Sequence, residues 1–239
     1  MANFLITICA RGGSKGIPGK NIKAINDKPL IAFTIEHAKK LAEYLDADIA
    51  LSTDSEEIKN VAKEFGIETN YVRADFLASD TAGKLDTIKD VLQYQEKLNN
   101  KVFDFIIDLD VTSPLRNIND ILEAYKLLNN DEESLNIFSV SSANRNPYFN
   151  MVEEKENGYF STIKSLGNVL SRQKAPIVYD MNASFYIYKR KYFDLDIKSA
   201  ISEKSLIYKM NHICFDLDEP LDFIFMEYLL KNNLLDFEL

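Results

Sequence analysis

From Phe4 to Ser141, short apolar runs alternate with longer amphipathic segments, a pattern that commits a chain to βαβ units and a mostly parallel sheet. Phe4–Cys9, Asp48–Ser52, Glu68–Val72, Phe103–Leu109 and Ile137–Ser141 read as strands. Between them, Leu30–Tyr44 carries Ile31, Ile35, Ala38 and Ala42 at helical spacing. Ser55 can cap a helix running to Phe65, with Glu56 and Glu57 in its first turn and Gly66 ending it. Ala82–Leu98 and Ile118–Leu128 complete the helical set. The pattern breaks over residues 142–176, where Asn144–Asn150 and Glu153–Gly158 look like turns and a hairpin tip. This segment reads as an insertion serving dimerisation. Ser184–Tyr188 and Ile213–Leu217 return to strand character, and Glu219–Leu235 closes as a helix with Pro220 in its first turn.

A length of 239 residues suits one domain spanning 1–239. The net charge of −9 argues against non-specific binding of nucleic acid. There is no run of eighteen apolar residues to span a membrane, and the start reads as a strand, not a signal peptide. Cys9 and Cys214 lie far apart in apolar runs and read as reduced core thiols of a cytoplasmic protein. His37 and His212 are too few for a multi-histidine metal site, and His37 reads as a surface or half-buried helical residue.

Against this acidic background stands the loop after the first strand, from Arg11 to Asn21. Gly12, Gly13, Gly16 and Gly19 let backbone N–H groups approach an anion, and Arg11, Lys15 and Lys20 add cations, so the loop suits a polyphosphate. It is not a Walker A loop: Ser14 stands where the first glycine belongs, and Asn21 replaces the metal-binding hydroxyl. No G-x-G-x-x-G is present, which disfavours a dinucleotide fold.

Asp216-Leu217-Asp218 would place two carboxylates on one side of a strand, where they can share a divalent cation, Mg²⁺ or Mn²⁺. Asp108-Leu109-Asp110 repeats the spacing at a strand end where open α/β sheets bind ligands. Arg73 could meet a phosphate or a base, and Ser79 and Thr81 could donate to a nucleotide, although the same stretch also suits a helix-capping loop. Ser171-Arg172-Gln173 and Tyr179–Ser184 set polar groups beside a strand, where a polar ligand or ordinary loop hydrogen bonds would both account for them.

Together these segments resemble the acylneuraminate cytidylyltransferases, or CMP-sialic acid synthetases, over nearly the whole chain. The matching parts are Ile8–Gly16 with Lys20-Asn21, Ser52–Asp54, Arg73 with Leu77–Thr81, Thr112–Arg116 and Phe215–Asp218. The resemblance implies a Rossmann-like, three-layer α/β nucleotidyltransferase with a small dimerisation insertion, acting as a homodimer. It implies that CTP and a nonulosonic acid become a CMP-sugar and pyrophosphate with Mg²⁺. Gly12, Gly13, Ser14, Lys15, Arg11 and Lys20 would hold the triphosphate, and Asn21 and Arg73 the cytidine, with Ser79, Asp80 and Thr81 nearby. Asp216 and Asp218 would carry the metal. Arg11, Lys20, Asp216 and Asp218 would form the catalytic group. Asp110, Thr112, Ser113, Arg172, Gln173 and Asn182 would face the sugar.

One departure is informative. Sialic-acid enzymes commonly carry Gln-Pro before Thr-Ser-Pro-Leu-Arg, whereas this chain has Asp110-Val111, which is similar to the bacterial branch acting on legionaminic acid. N-acetylneuraminate, pseudaminate and Kdo remain alternative acceptors. A hexose-1-phosphate nucleotidyltransferase and a catalytically silent nucleotide-binding protein are the competing readings.

Overall fold

The computed structural model describes residues 2–14, 16–79, 81–167, 171–195 and 197–239. Lys15 and Asp80, both expected at the nucleotide, lie outside the described residues.

Among the described residues, a six-stranded sheet is flanked by helices on both faces. The first half builds it by simple repetition. Strand β1 (Phe4–Cys9) leads through the glycine-rich loop and a small hairpin, β2 (Ala24–Ile25) and β3 (Lys28–Pro29), into helix α1 (Leu30–Leu45). Strand β4 (Asp48–Ser52), helix α2 (Glu56–Glu64), the short helix α3 (Asp75–Ala78), helix α4 (Lys84–Asn99) and strand β5 (Phe105–Leu109) follow. Helix α5 (Ile118–Asn130) then leads to β6 (Asn136–Ser142). The hairpin β7 (Val152–Glu154) and β8 (Phe160–Thr162) stands outside the sheet. The chain returns as the long strand β9 (Tyr179–Lys189), adds β10 (Ser205–Lys209), and ends with helix α6 (Pro220–Lys231).

The order across the sheet is β10-β6-β9-β5-β1-β4. All pairs are parallel except those made by β9, which runs antiparallel to both β5 and β6. Alternation within the strands feeds two cores. Phe4, Ile6, Ile8, Ile107, Leu109, Phe185 and Ile187 pack on the face covered by α1, α2, α5 and α6. Leu5, Ile106, Tyr186 and Tyr188 pack on the opposite face with Leu85, Ile88, Val91 and Leu92 of α4. Each fully buried Leu or Ile contributes about 1.5–3 kcal/mol.

Helix starts follow local side-chain chemistry. Ser55 Oγ accepts the Ile58 N–H (3.3 Å) at the head of α2. Asn117 and Asp120 form a reciprocal capping box on α5, and Glu219 and Asp222 form another on α6 beside Pro220.

Several sequence expectations change. Glu68–Val72 is not a strand: Thr69 Oγ1 donates to Leu51 O (3.2 Å) and accepts the Tyr71 N–H (3.1 Å), so a side chain takes the place of a ladder. Ile213–Leu217 is an extended strap without ladder partners, and the edge strand is instead Ser205–Lys209. The last helix stops at Lys231, short of Leu235. His37 is fully buried in α1, and burial, with the nearby charges of Arg116, Lys40 and Lys28, pushes it down to about 3.

Candidate active site

The carboxyl ends of β1 and β5 open onto one cavity of about 440 Å³, the position at which open α/β sheets place ligands. Its lining joins the glycine-rich loop, the connection between α2 and α4, the head of α4, the loop after β5 and the late strap at Asp218.

On the loop side, Arg11, Ser14, Gly16, Lys20 and Asn21 line the cavity. The Gly12 N–H donates to Asp54 Oδ1 (2.8 Å), which ties the loop to the end of β4. Gly19 takes φ +64°, a left-handed turn that starts the short 3-10 turn Lys20–Ile22 and sends Lys20 into the cavity. A Cβ on Gly16 would meet the Asp218 carbonyl at 3.1 Å, so this glycine lets the loop approach the late aspartates. Gly13 has open space around it and shows no such steric demand. Asn21 is buried and its Nδ2 donates to Arg11 O (2.9 Å), so it shapes the loop from within. Arg73 is also buried, held by Ser52 Oγ (3.0 Å) and Ser52 O (2.7 Å), with its side chain at the cavity wall. Ser79 lines the cavity and contacts Thr81 Oγ1 at 3.4 Å, while Thr81 faces a neighbouring depression with Asp86 and Lys89.

The two late aspartates occupy the strap, not a strand, yet the alternation survives. Leu217 between them is fully buried and its N–H donates to Thr112 O (2.8 Å), while Asp218 lines the cavity. Lys20 Nζ pairs with Asp218 Oδ1 at 2.9 Å. Asp216 does not line the cavity; its Oδ1 is buried and accepts no hydrogen bond. Burial, followed by the charges of Asp110 and Asp218, pushes Asp216 up to about 6. A carboxylate held in this state, with one oxygen unspent, has the chemistry of a cation ligand. Among the described residues no cluster of three or more His, Cys, Asp or Glu side chains can hold a metal by itself.

The wall at the end of β5 is densely braced. Lys84 Nζ donates to Asp110 Oδ2 (2.7 Å), lies 2.9 Å from the buried Asp108 Oδ2, and sits 4.5 Å from the Tyr186 ring centre. Asp110 Oδ1 accepts from Thr112 N and Thr112 Oγ1, both at 2.9 Å. Burial works to raise Asp110, but Lys84 and the Thr112 donors outweigh it and hold the carboxyl at about 2. Behind them Arg116 is fully buried and binds Asp110 O (2.8 Å), Ser113 O (3.0 Å), Thr34 Oγ1 (2.8 Å) and the Ser184 carbonyl.

Not all the expected sugar residues reach this cavity. Asp110 and Thr112 do. Ser113 is buried and its Oγ donates to Asn182 O (2.7 Å). Asn182 is buried at an irregularity between β6 and β9: its Oδ1 accepts from Ser139 Oγ (2.6 Å), and its Nδ2 donates to Ser141 Oγ (2.9 Å). Arg172 and Gln173 are exposed on a 3-10 turn outside the cavity lining, with Arg172 donating to Asn144 O (2.9 Å).

Sequence reasoning missed Lys84 and the bracing role of Arg116. Lys84 is the first residue of α4, where a cation works against the helix dipole, and that misplacement was its readable signal. Cys9 and Cys214 are free and half-buried; burial pushes both thiols up, Cys214 to about 11.

The chain is 41% identical to post-translational flagellin modification protein B of Campylobacter coli, covering 98% of this chain and 97% of the relative. It is 42% identical to CMP-N,N'-diacetyllegionaminic acid synthase of Campylobacter jejuni, covering 97% and 96% respectively. In three dimensions it superimposes on CMP:2-keto-3-deoxy-manno-octonic acid synthetase complexed with CTP at a TM-score of 0.70 and 18% identity, covering 97% of this chain and 100% of that one, a likeness of fold. The family described as Cytidylyltransferase matches residues 5–236, and the chain belongs to that family.

Proposed function

We propose that the protein transfers CMP from CTP to a nonulosonic acid, with N,N'-diacetyllegionaminic acid the favoured acceptor, and releases pyrophosphate. The observation that carries this reading is the single cavity in which the cationic glycine-rich loop meets Asp218 and the Lys84–Asp110–Thr112 wall. One side suits a triphosphate and the other suits a polyol acid rich in hydrogen-bond donors.

In this reading Arg11, Lys20, Ser14 and the backbone of Gly12 and Gly13 hold the triphosphate, while Arg73 and Asn21 shape the nucleoside side. The acceptor's anomeric hydroxyl attacks the α-phosphorus and gives up its proton to solvent, the new C–O–P link forms, and the bond to the β-phosphate breaks with its electrons leaving on pyrophosphate. Lys20 and Arg11 stabilise the charge that develops on that leaving group. Asp110 and Thr112 orient the acceptor, which lowers the entropic cost of bringing two substrates together. Asp216 and Asp218 are the residues that would hold Mg²⁺ or Mn²⁺, and the unspent Asp216 oxygen fits that role. When bound, the ion would neutralise phosphate charge and acidify the attacking hydroxyl.

The inserted segment carries exposed Tyr159, Phe160 and Leu166, with exposed Ile177 immediately after it, and we assign this surface to homodimer contact. Sedimentation would show a dimer that Phe160→Glu with Ile177→Glu converts to monomer. No helix among the described residues is long and apolar enough to cross a membrane, and two free thiols suit a reducing compartment such as the cytoplasm.

The deciding experiment is pyrophosphate release with CTP and Mg²⁺ across di-N-acetyllegionaminate, N-acetylneuraminate, pseudaminate and Kdo. Preference for the first supports the whole reading. Preference for another acid keeps the reaction and replaces the acceptor. Silence on all four sinks it.

A further inference from the structure

Lys84 belongs to none of the motifs that carried the sequence reading, and helix formation gives no reason for a lysine at the first position of α4. Its surroundings do. The ammonium is drawn down onto the end of β5 between a wholly buried carboxylate, Asp108, and one at the cavity surface, Asp110, with the Tyr186 ring on a further side. Asp108 is itself anchored by Thr7 Oγ1 (2.8 Å), so the pair cannot swing away. Asp110 is gripped on Oδ2 by Lys84 and on Oδ1 by two donors from Thr112. Both oxygens are therefore fixed in direction, and the carboxylate keeps lone-pair capacity for a donor arriving in the cavity.

Charge gives the arrangement its sense. Asp108 and Asp110 bring two negative charges, Lys84 returns one positive, and Asp218 lies in the same cavity lining. An incoming sugar acid carries its own carboxylate. Without Lys84, the β5 wall would repel that substrate at close range in a partly desolvated site, where like charges cost most.

We propose that Lys84 is a specificity-determining positioning residue: it clamps Asp110 as a fixed acceptor for a hydroxyl or amide N–H of the sugar acid, and it cancels wall charge that would otherwise repel the acid's carboxylate. The inference rests on the nonulosonic-acid reading above. It assigns Lys84 to the acceptor half of the reaction and gives it no part in holding the triphosphate.

The test compares wild type with Lys84→Met, Lys84→Arg, Asp110→Asn and the double variant Lys84→Met/Asp110→Asn. Initial rates give KM for the acid and for CTP, calorimetry gives CTP affinity without acid, and thermal melts report folding. Lys84→Met should raise the acid KM by ~30-fold or more while CTP affinity stays within about threefold, since only the acceptor meets the exposed charge. Lys84→Arg should recover part of the loss by restoring the cation. The double variant should bind the acid better than Lys84→Met alone, because removing Asp110's charge relieves the repulsion, a coupling that independent sites do not show. Both Met variants leave the buried Asp108 unpaired, so where they melt too early to assay, Lys84→Arg, which keeps a cation beside Asp108, carries the test: a shifted acid KM with unchanged CTP affinity supports the proposal and an unchanged acid KM overturns it.

Weakening of CTP binding equal to that of the acid would overturn the proposal and place Lys84 on the triphosphate. A double variant no better than Lys84→Met would overturn it as well, leaving a brace without influence on the acceptor. A wild type that turns over no nonulosonic acid would sink the broader reading and this inference with it. An active wild type with an unchanged acid KM in Lys84→Met would sink the inference alone.

Discussion

In the glycine-rich wall of the cavity, Arg11 reaches Ala78 O at a long 3.5 Å and Lys20 pairs with Asp218, whose side chain is 69% exposed. In the facing wall, Lys84, Asp110, Thr112 and the fully buried Arg116 form one continuous lattice of short polar contacts. The first wall sets a largely covered lysine, 14% exposed, against a solvent-facing carboxylate through one ion pair. The second ties each side chain to several partners at once, so its geometry is set by the fold. The contrast is one of bracing: a single ion pair at the loop wall, a cross-linked lattice at the end of β5.

The sharpest way to break the contrast is through Arg116. Arg116→Met strands buried carbonyls of Asp110, Ser113 and Ser184, and should cost about 3–5 kcal/mol of unfolding free energy in a denaturant titration. A loss below about 1 kcal/mol would mean the lattice is not a structural unit. Next come Lys20→Ala and Asp218→Asn, each expected to lower turnover by ~100-fold or more while leaving the melting temperature nearly unchanged. Near-normal rates would remove either residue from the chemistry, and a large fall in melting temperature would make the loop wall structural too. Gly19→Ala forces a side chain into the left-handed turn and should cost about 1 kcal/mol, enough to show in a melt.

The smallest effect concerns His212, next to the strap that carries Asp216 and Asp218. Its Nε2 lies 2.7 Å from Asp120 Oδ2 and its ring stacks on Phe237 at 3.7 Å. Burial works to lower its pKa, but the Asp120 hydrogen bond outweighs it and the net shift is upward from 6.5. Protonated His212 therefore binds Asp120 better in the folded state than in the unfolded one. This contribution is full below about pH 6.5 and fades as pH rises through the higher folded value. Wild type should be more stable than His212→Gln at pH 6, with the gap closing by pH 9. A gap that widens with pH would show the ring is held neutral.

Most of the first half was legible because apolar periodicity and parallel βαβ order are the same information: β1, α1, β4, α2 and β5 lie close to where the pattern puts them. Glu68–Val72 has the same β-branched and aromatic signature as a strand, but Thr69 satisfies its backbone locally, and composition does not reveal that competition. The aspartate strap read as a strand for a related reason: extended chain alternates its side chains whether or not a neighbour pairs with it. The glycine-rich loop was readable as a cationic anion cradle. The bracing of Asp110 was not, since its partner Lys84 comes from a different element and only the fold brings the two together.

The antiparallel strand β9 has a consequence for how the molecule is made. It lies between β5 and β6, which precede it in the chain, so the centre of the sheet is filled by one of the later segments to leave the ribosome. While residues 143–189 are being added, β5 and β6 each hold an open hydrogen-bonding edge toward the same empty slot. Seating one long strand against two earlier segments is a long-range closure of the kind that slows folding. Until that strand arrives the nascent sheet is open to any other extended chain of suitable length, which makes the slot the point at which a chaperone would have most to protect.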